Sequence, residues 1–313
     1  MAVVEVLCVG DLDVDLFVAV PTIPGFDQKV AGRHLGQMPG GMSANSAVAF
    51  SRLGHPARLV ATIGDDAAGH EAVSKVSAEG VDVGYVVKRP GVNSFMCVVL
   101  LSPSGEKSLI RLETDAYLPH VADIHETAFD GIRHVHMTYG DADLTEFVLT
   151  RARALGLSTS LDLEPPDIRR SPDRLAAILR LADTLFVNRE AWDSAADALG
   201  HPLDTTETGE IIVTLGADGC RHLGPAHGGE TLSRGFPVQS IDTTGAGDCF
   251  AAAYVSAKLE GAALSDRLRF ANAAAALATL AHGAQAAMPS RAAVDRYLAN
   301  LETAPIAEGG GHA

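Results

Sequence analysis

Residues 241–254 read Ile-Asp-Thr-Thr-Gly-Ala-Gly-Asp-Cys-Phe-Ala-Ala-Ala-Tyr, a glycine-rich turn followed by an alanine-rich helix. Gly245, Ala246 and Gly247 carry little or no side chain, so a ligand can approach their backbone N–H groups closely. These groups begin a helix, where the dipole adds positive potential, and the combination binds an anion without any lysine. Asp248 would repel that anion, which indicates a general base that takes a proton from a hydroxyl attacking phosphorus. The alternative is an ordinary capped helix, because short glycine motifs are weak evidence.

A second glycine-led helix start lies far upstream, at residues 39–54 (PGGMSANSAVAFSRLG). Gly40 and Gly41 let the backbone approach a ligand. Asn45 falls in the first turns of the predicted helix, and its amide both donates and accepts, which suits a sugar hydroxyl. Taken alone, this segment is equally consistent with an ordinary helix start.

The composition excludes several classes of protein. Of 313 residues, 24 are Lys or Arg and 39 are Asp or Glu, which gives a formal charge of −15. Such a chain is not expected to bind nucleic acid or an anionic membrane surface, since both require basic patches. The four cysteines form no C-x-x-C pair, and no signal peptide or membrane span is evident. We therefore expect a cytoplasmic protein.

Apolar runs of strand length alternate with helical stretches, which predicts a mainly parallel sheet with helices on both faces. Two stretches interrupt this alternation, at approximately residues 11–38 and 83–115, and both are rich in turn signals or short β-like pieces. We expect them to form a small second layer over the sheet. The alanine-rich segment 271–287 is predicted to be one buried helix, and residues 304–313 a disordered tail. The strands are predicted at 3–9, 57–63, 134–137, 158–163, 184–187 and 211–215, and the helices at 43–53, 67–78, 144–155, 172–181 and 190–199.

Together, GG-x-x-x-N near the N-terminus and D-T-x-G-A-G-D near the C-terminus resemble the two signatures of the ribokinase-like (PfkB) carbohydrate kinase family. Further similar segments run through the chain, namely IGDDAAG (63–69), FVNRE (186–190), VTLGADG (213–219) and the stretch 269–289. The resemblance implies a three-layer α/β sandwich with a small β-sheet lid, as one domain over residues 1–303. It also implies a cytoplasmic, ATP-dependent sugar kinase that phosphorylates a hydroxyl of a small carbohydrate, with Mg²⁺ as cofactor and K⁺ as a candidate second cofactor.

The resemblance assigns roles to individual residues of this sequence. Asp248 would be the catalytic base, and the backbone of Gly245, Ala246 and Gly247 the anion hole for the γ-phosphate. The sugar would be held by Gly40, Gly41 and Asn45 of the N-terminal motif and by a carboxylate after the first strand. That carboxylate would be Asp15, with Asp13 as the next candidate. The nucleotide would contact Asn188, Thr214, Gly216, Gly219 and Asn272. Asp242 and Thr244 match a loop that often holds a monovalent cation.

One position departs from the pattern of the family. Relatives commonly show N-x-x-E, whose acid organises Mg²⁺ through water, whereas here Glu190 follows Asn188 by only two residues. Glu190 can still reach the metal's water shell, and Asp162 and Glu164 are alternative contributors.

The substrate and the assembly stay open at the level of sequence. Arg33, Arg111 and Lys107 lie in the interrupting segments, where they are either solvated or meet an acidic or phosphorylated sugar. A nucleoside kinase of the same family, a haloacid-dehalogenase-type phosphatase, and a non-catalytic sugar- or nucleotide-binding regulator are the competing functions. Relatives dimerise through the lid, so a homodimer is possible.

Overall fold

The computed structural model describes residues 4–103, 107–224 and 229–303, so the predicted tail at 304–313 lies outside the described residues. The strands are β1 (Val6–Val9), β2 (Asp13–Ala19), β3 (Arg33–Gly40), β4 (Ala57–Val60), β5 (Thr62–Gly64), β6 (Val87–Arg89), β7 (Met96–Leu101), β8 (Lys107–Leu112), β9 (His134–Thr138), β10 (Ser158–Leu163), β11 (Thr184–Asn188), β12 (Glu210–Thr214), β13 (Cys220–Gly224) and β14 (Gly229–Ser233). The helices are α1 (Met42–Arg52), α2 (Ala67–Ala78), α3 (Ala142–Ala154), α4 (Pro165–Arg170), α5 (Leu175–Leu179), α6 (Arg189–Leu199), α7 (Ala246–Leu259), α8 (Leu264–Ala278), α9 (Ala284–Ala287) and α10 (Arg291–Thr303).

Eight strands form the main sheet in the order β14-β13-β12-β11-β10-β9-β1-β4. All pairings from β12 to β4 are parallel, and β13 and β14 add antiparallel strands at one edge. The strands of the parallel part are buried on both faces, as their nearly continuous apolar runs predict. Val6 and Cys8 pack into one hydrophobic cluster and Leu7 and Val9 into another, so the sheet lies between two helical layers.

A separate four-stranded sheet, in the order β3-β2-β7-β8, is built from residues of the two interrupting segments. Strand β2 pairs antiparallel with β3 and parallel with β7, and β7 pairs antiparallel with β8. Its own small cluster contains Phe17, Cys97 and Val99. We call this sheet the small sheet. It agrees with the predicted second layer.

One predicted helix is wrong in its extent. The alanine-rich segment 271–287 is not continuous, because α8 ends at Ala278 and a turn separates it from α9. Gly283, with φ of +86°, lies in that interruption, and its N–H donates to Asp242 Oδ2 at 3.0 Å. The chain therefore leaves the helix to contact the loop before α7. Alanine content alone could not predict this, since the cause is a tertiary contact.

The two histidines of β9, His134 and His136, are buried and hydrogen-bonded to serines of β10. His134 contacts the hydroxyls of Ser158 and Ser160 at 2.8 and 2.7 Å, and His136 contacts Ser160 at 2.7 Å. Burial lowers the pKa of His136 to about 4. Burial, together with the nearby charges of His136 and Lys258, lowers the pKa of His134 well below its ordinary value. Within the described part of the chain, no helix is long and apolar enough to cross a membrane.

Candidate active site

A cleft of about 1260 Å³ opens at the carboxyl ends of the central strands, facing the small sheet. The ends of β10, β11 and β12 contribute Asp162, Asn188 and Thr214, and the N-terminus of α7 contributes Asp248. Parallel sheets bind ligands at this edge, because strand ends and helix N-termini converge there. The cleft thus brings the two glycine motifs together although they are far apart in sequence.

Asp248 and Asn45 are joined by a direct hydrogen bond across this cleft. Asn45 Nδ2 donates to Asp248 Oδ2 at 2.8 Å, and both residues are buried. Burial is the main cause that raises the pKa of Asp248, to about 8, while the Asn45 hydrogen bond opposes the shift and Asp11 and Glu164 add to it. A carboxyl group with that pKa can accept a proton near neutral pH.

The turn before Asp248 keeps part of its backbone free. Gly245 has φ of +78°, in the left-handed region that favours glycine, and begins α7. Ala246 N–H donates to the Thr243 carbonyl at 3.2 Å, so this amide already has an acceptor. Nothing lies within 4 Å of the place where a Cβ of Gly247 would stand, which leaves its backbone open to the cleft. An anion would therefore meet this turn chiefly at the amides of the two glycines.

A corner between β3 and α1 forms the end of the cleft where the sugar is predicted to lie, which we call the acceptor end. A Cβ at position 40 would lie 2.2 Å from Asp13 Oδ1 and 2.6 Å from Asp15 Oδ2, so glycine lets both carboxyl groups approach the backbone. Gly41, with φ of +93°, turns the chain into α1. Gly40 itself does not line the cleft, whereas Asp13, Asp15 and Gly41 do.

The three aspartates after β1 differ in their surroundings. Asp11 accepts from the backbone N–H groups of Met42 and Ser43 at 3.1 and 3.0 Å, so it caps α1. Asp13 is buried, and burial with the nearby charges of Asp15 and Asp11 raises its pKa well above the usual value. Burial and Asp11 also raise the pKa of Asp15, to about 6.

The predicted nucleotide residues all line the other end of the cleft. Asn188 Oδ1 accepts from Ala191 N at 2.7 Å and so caps α6. Asn272 Nδ2 donates to Ser233 Oγ at 3.0 Å and holds the chain that leaves β14. Small residues of α8, Ala275 and Ala276, leave space in this part of the cleft. The remaining predicted residues here are Thr214, Gly216 and Gly219.

Acidic side chains surround the middle of the cleft. Glu190 lines it, with a side chain that is 75% exposed and 4.0 Å from Arg169 Nη1. Burial, with the charges of Asp167, Glu190 and Asp11, raises the pKa of Glu164 to about 7. Burial also raises the pKa of Asp162, with contributions from Asp248 and Glu164. The described ranges contain no cluster of three metal-ligating side chains.

Asp242 and Thr244 organise the loop that precedes the glycine turn at Gly245–Gly247, the predicted anion-binding turn. Asp242 Oδ1 accepts from both N and Oγ1 of Thr244, at 3.0 and 2.7 Å. Although burial opposes the change, these bonds and the one from Gly283 hold the pKa of Asp242 below its ordinary value. Thr244 lines the cleft and Asp242 lies behind it.

Several cleft residues were not predicted. Phe95, Tyr117 and Asp167 line the acceptor end but lie on loops or a short helix outside both motifs, where no sequence signal marks them. Arg111 stacks over the rings of Tyr117 and Phe95, at 4.9 and 5.2 Å from their centroids. It is therefore ordered by aromatic contact rather than merely solvated.

Comparisons with known proteins agree with this geometry. A profile described as pfkB family carbohydrate kinase matches residues 4–291. The chain is 29% identical over 301 residues to the ribokinase of Bacillus subtilis (strain 168), covering 94% of this chain and 99% of that protein. It is also 29% identical over 296 residues to the ATP-dependent ribose-1-phosphate kinase of Halopiger xanaduensis, covering 94% and 98%. The solved structure of a putative Ribokinase II from E. coli with ATP and Mg²⁺ has a TM-score of 0.80 at 22% identity, covering 95% and 99%, which shows a shared fold.

Proposed function

Because the chain belongs to the pfkB family of carbohydrate kinases, and so is a phosphotransferase with an alcohol acceptor, we propose that Asp248 drives transfer of the γ-phosphoryl group from ATP to a small sugar. The observation that carries the proposal is the position of Asp248. This carboxyl is buried at the N-terminus of α7, beside the glycine turn, and is hydrogen-bonded to Asn45 of the other motif. This position supports the role of Asp248 as a base between the acceptor end of the cleft and the anion-binding turn.

The acceptor is recognised through hydroxyl groups. Asp13 Oδ1 and Asn45 Oδ1 are buried and have no hydrogen-bond partner among the described residues. A buried acceptor without a donor is unfavourable by about 1–3 kcal/mol, and sugar hydroxyls supply the missing donors. The orphaned oxygens at the acceptor end therefore support a polyol substrate.

ATP occupies the other end, with its phosphates directed to the α7 N-terminus. The Gly245 and Gly247 amides and the helix dipole stabilise the charge that develops on the phosphoryl group. Asp248 accepts the proton of the attacking hydroxyl.

The acidic side chains of the cleft fit Mg²⁺ held by phosphates rather than by a protein cage. The charge of Glu190 contributes to the raised pKa of Glu164. A divalent cation near both carboxyl groups would relieve this repulsion. Mg²⁺ usually binds through one or two carboxylates together with substrate phosphates. Glu164, Asp162 and Glu190 are the residues that would hold its water shell, and the ion supplies neutralisation of phosphate charge. A monovalent cation at the Asp242–Thr244 loop stays a prediction.

The test is a coupled assay of ADP formation over ribose, fructose, 2-keto-3-deoxygluconate, ribose phosphates and adenosine, with wild type and Asp248→Asn. We expect sugar-dependent ADP release by the wild type. The variant should lose at least about a hundredfold in kcat, since the general base is removed, while ATP affinity changes little.

Other outcomes of the panel separate the competing functions. Absence of acceptor-dependent ADP release across the panel would identify a binding protein instead of a kinase. A near-normal kcat for Asp248→Asn would refute the role of the base. Preference for adenosine would indicate the nucleoside kinase.

A further inference from the structure

One lysine from the small sheet lies at the anion-binding turn. Lys107 Nζ donates to Thr244 Oγ1 at 3.0 Å, and Thr244 immediately precedes Gly245. Lys107 lies on β8, where Leu109 and Arg111 share its cleft-facing side. An ammonium group has three donors, and Thr244 uses one of them. Two N–H groups of Lys107 thus remain available beside the turn.

The acceptor for Lys107 is held in a fixed orientation. Thr244 Oγ1 donates its own proton to Asp242 Oδ1 at 2.7 Å, so its lone pairs are left for Lys107. The other oxygen of Asp242 accepts from Gly283 N at 3.0 Å. This chain of bonds anchors the position that the ammonium group occupies.

The other edge strand of the small sheet, β3, contacts Gly283, which is hydrogen-bonded to Asp242. A Cβ at Gly283 would lie 2.4 Å from Met38 Sδ, so Met38 of β3 packs directly on this glycine. Strands β3 and β8 are the two outer strands of the small sheet. The contacts of Lys107 with Thr244 and of Met38 with Gly283 therefore hold both edges of the small sheet near the anion-binding turn.

The local charge balance calls for a cation at this point. Asp11, Asp13, Asp15, Asp162, Glu164 and Asp248 all line the cleft. Of the five lysines, all in the described ranges, Lys107 alone lines it. Two arginines also line the cleft. The guanidinium of Arg111 is stacked on two rings at the acceptor end, and Arg189 begins α6. Lys107 also forms no ion pair with a described carboxylate, although it lowers the pKa of Asp15 and Asp242 through its charge.

We propose that Lys107 is a catalytic residue that binds the transferring phosphoryl group from the small-sheet side of the cleft, opposite the amides of α7. The inference rests on the proposed kinase activity. In the step, the acceptor oxygen forms a bond to the γ-phosphorus and the bond from that phosphorus to the bridging oxygen breaks. The hydroxyl proton passes to Asp248, the electron pair leaves with ADP, and Lys107 stays protonated throughout. Its charge stabilises the equatorial oxygens as charge accumulates on them.

The experiment compares Lys107→Met, Lys107→Arg and, as a matched control, Lys88→Met, an exposed lysine of β6 outside the cleft. Steady-state kinetics use ATP and the panel compound that the wild type phosphorylates fastest. Loss of one phosphoryl-stabilising donor is expected to lower kcat by about a hundredfold or more. Lys107→Arg should recover most of that loss, and Lys88→Met should match the wild type.

A binding measurement separates catalysis from a purely structural role. The wild type, with Mg²⁺ and acceptor, should bind ADP–aluminium fluoride, a mimic of the transferring phosphoryl group, more tightly than ADP alone. Lys107→Met should lose most of that preference while its ADP affinity and melting temperature stay near the wild-type values. Equal preference in both proteins, or a kcat within twofold of wild type, would overturn the role of Lys107 and leave the kinase activity intact. A wild type without acceptor-dependent ADP release would overturn both proposals.

Discussion

At the scale of single residues, Asp248 shows how its surroundings raise the pKa of a carboxyl group. The chain is strongly acidic, so a carboxyl group is not unusual in itself. Its pKa rises because the side chain is buried, and the Asn45 hydrogen bond limits the rise. The motif in the sequence predicted where this aspartate lies along the chain, but its partner and its burial are known only from the fold.

The raised pKa has a consequence for the pH dependence of the reaction. Only the ionised form of Asp248 accepts a proton, and its pKa is about 8 in the free protein. We expect kcat/KM to rise with pH by about tenfold per unit below that value and to level off above it, because kcat/KM reports groups of the free enzyme. The measurement is a pH profile of the rate with ATP and acceptor both well below their KM values, where the rate reports the free enzyme.

Two substitutions should move this profile in opposite directions. Asn45→Leu removes the hydrogen bond that lowers the pKa of Asp248, so the acid limb should move to higher pH. Glu164→Gln removes a negative charge that raises the pKa, so the limb should move to lower pH. A limb that stays in place in both variants would show that another group controls the rate.

At the scale of secondary-structure elements, the corner between β3 and α1 shapes the predicted acceptor site. The sequence predicts a helix start at the paired glycines and an alternation of Asp11, Asp13 and Asp15. The structure separates these aspartates, since Asp11 caps α1 whereas Asp13 and Asp15 lie against Gly40. Strand pairing brings Asp13 opposite Gly40, and this register follows from the fold of the small sheet.

Gly40→Ala should therefore weaken sugar binding more than it lowers the stability of the fold. Its Cβ would collide with the carboxyl groups of Asp13 and Asp15, which must then turn away. We expect KM for the acceptor to rise by at least about tenfold, a loss near 1.4 kcal/mol of binding, with a smaller effect on KM for ATP.

The matched control is Gly229→Ala in β14, where a Cβ would meet nothing within 4 Å. Steady-state kinetics and thermal unfolding of both variants provide the comparison. An unchanged acceptor KM in Gly40→Ala would show that Asp13 and Asp15 do not position the sugar.

At the scale of the whole molecule, the two faces of the small sheet differ in what they present. Its inner face presents Lys107 and Arg111 to the cleft. The outer face leaves apolar side chains uncovered, with Ile110 and Leu112 of β8 exposed by 49% and 46%. Together with the family resemblance, this exposure supports the predicted homodimer through the small sheet.

The dimer is testable by replacing one residue of that face. Ile110→Lys places a charge in the proposed interface, and we expect it to shift the wild-type dimer to monomer in light scattering coupled to size exclusion. Leu232→Lys is the control, because Leu232 is exposed by 69% on β14 of the main sheet. A monomeric wild type, or a dimer that Ile110→Lys leaves unchanged, would contradict the prediction.

The sequence by itself determined the class of fold and the positions of both glycine motifs, because hydrophobic periodicity and backbone permissiveness are local properties. Its net charge of −15 also predicts that a bulk polyanion is not a partner. Only the tertiary structure decided that Asn45 pairs with Asp248, that α8 breaks before Gly283, and that Lys107 joins Thr244. Each of these depends on residues distant in the chain that meet at the carboxyl ends of the central strands or under the small sheet. No local pattern encodes such meetings, since they result from the packing of the two sheets and their helices.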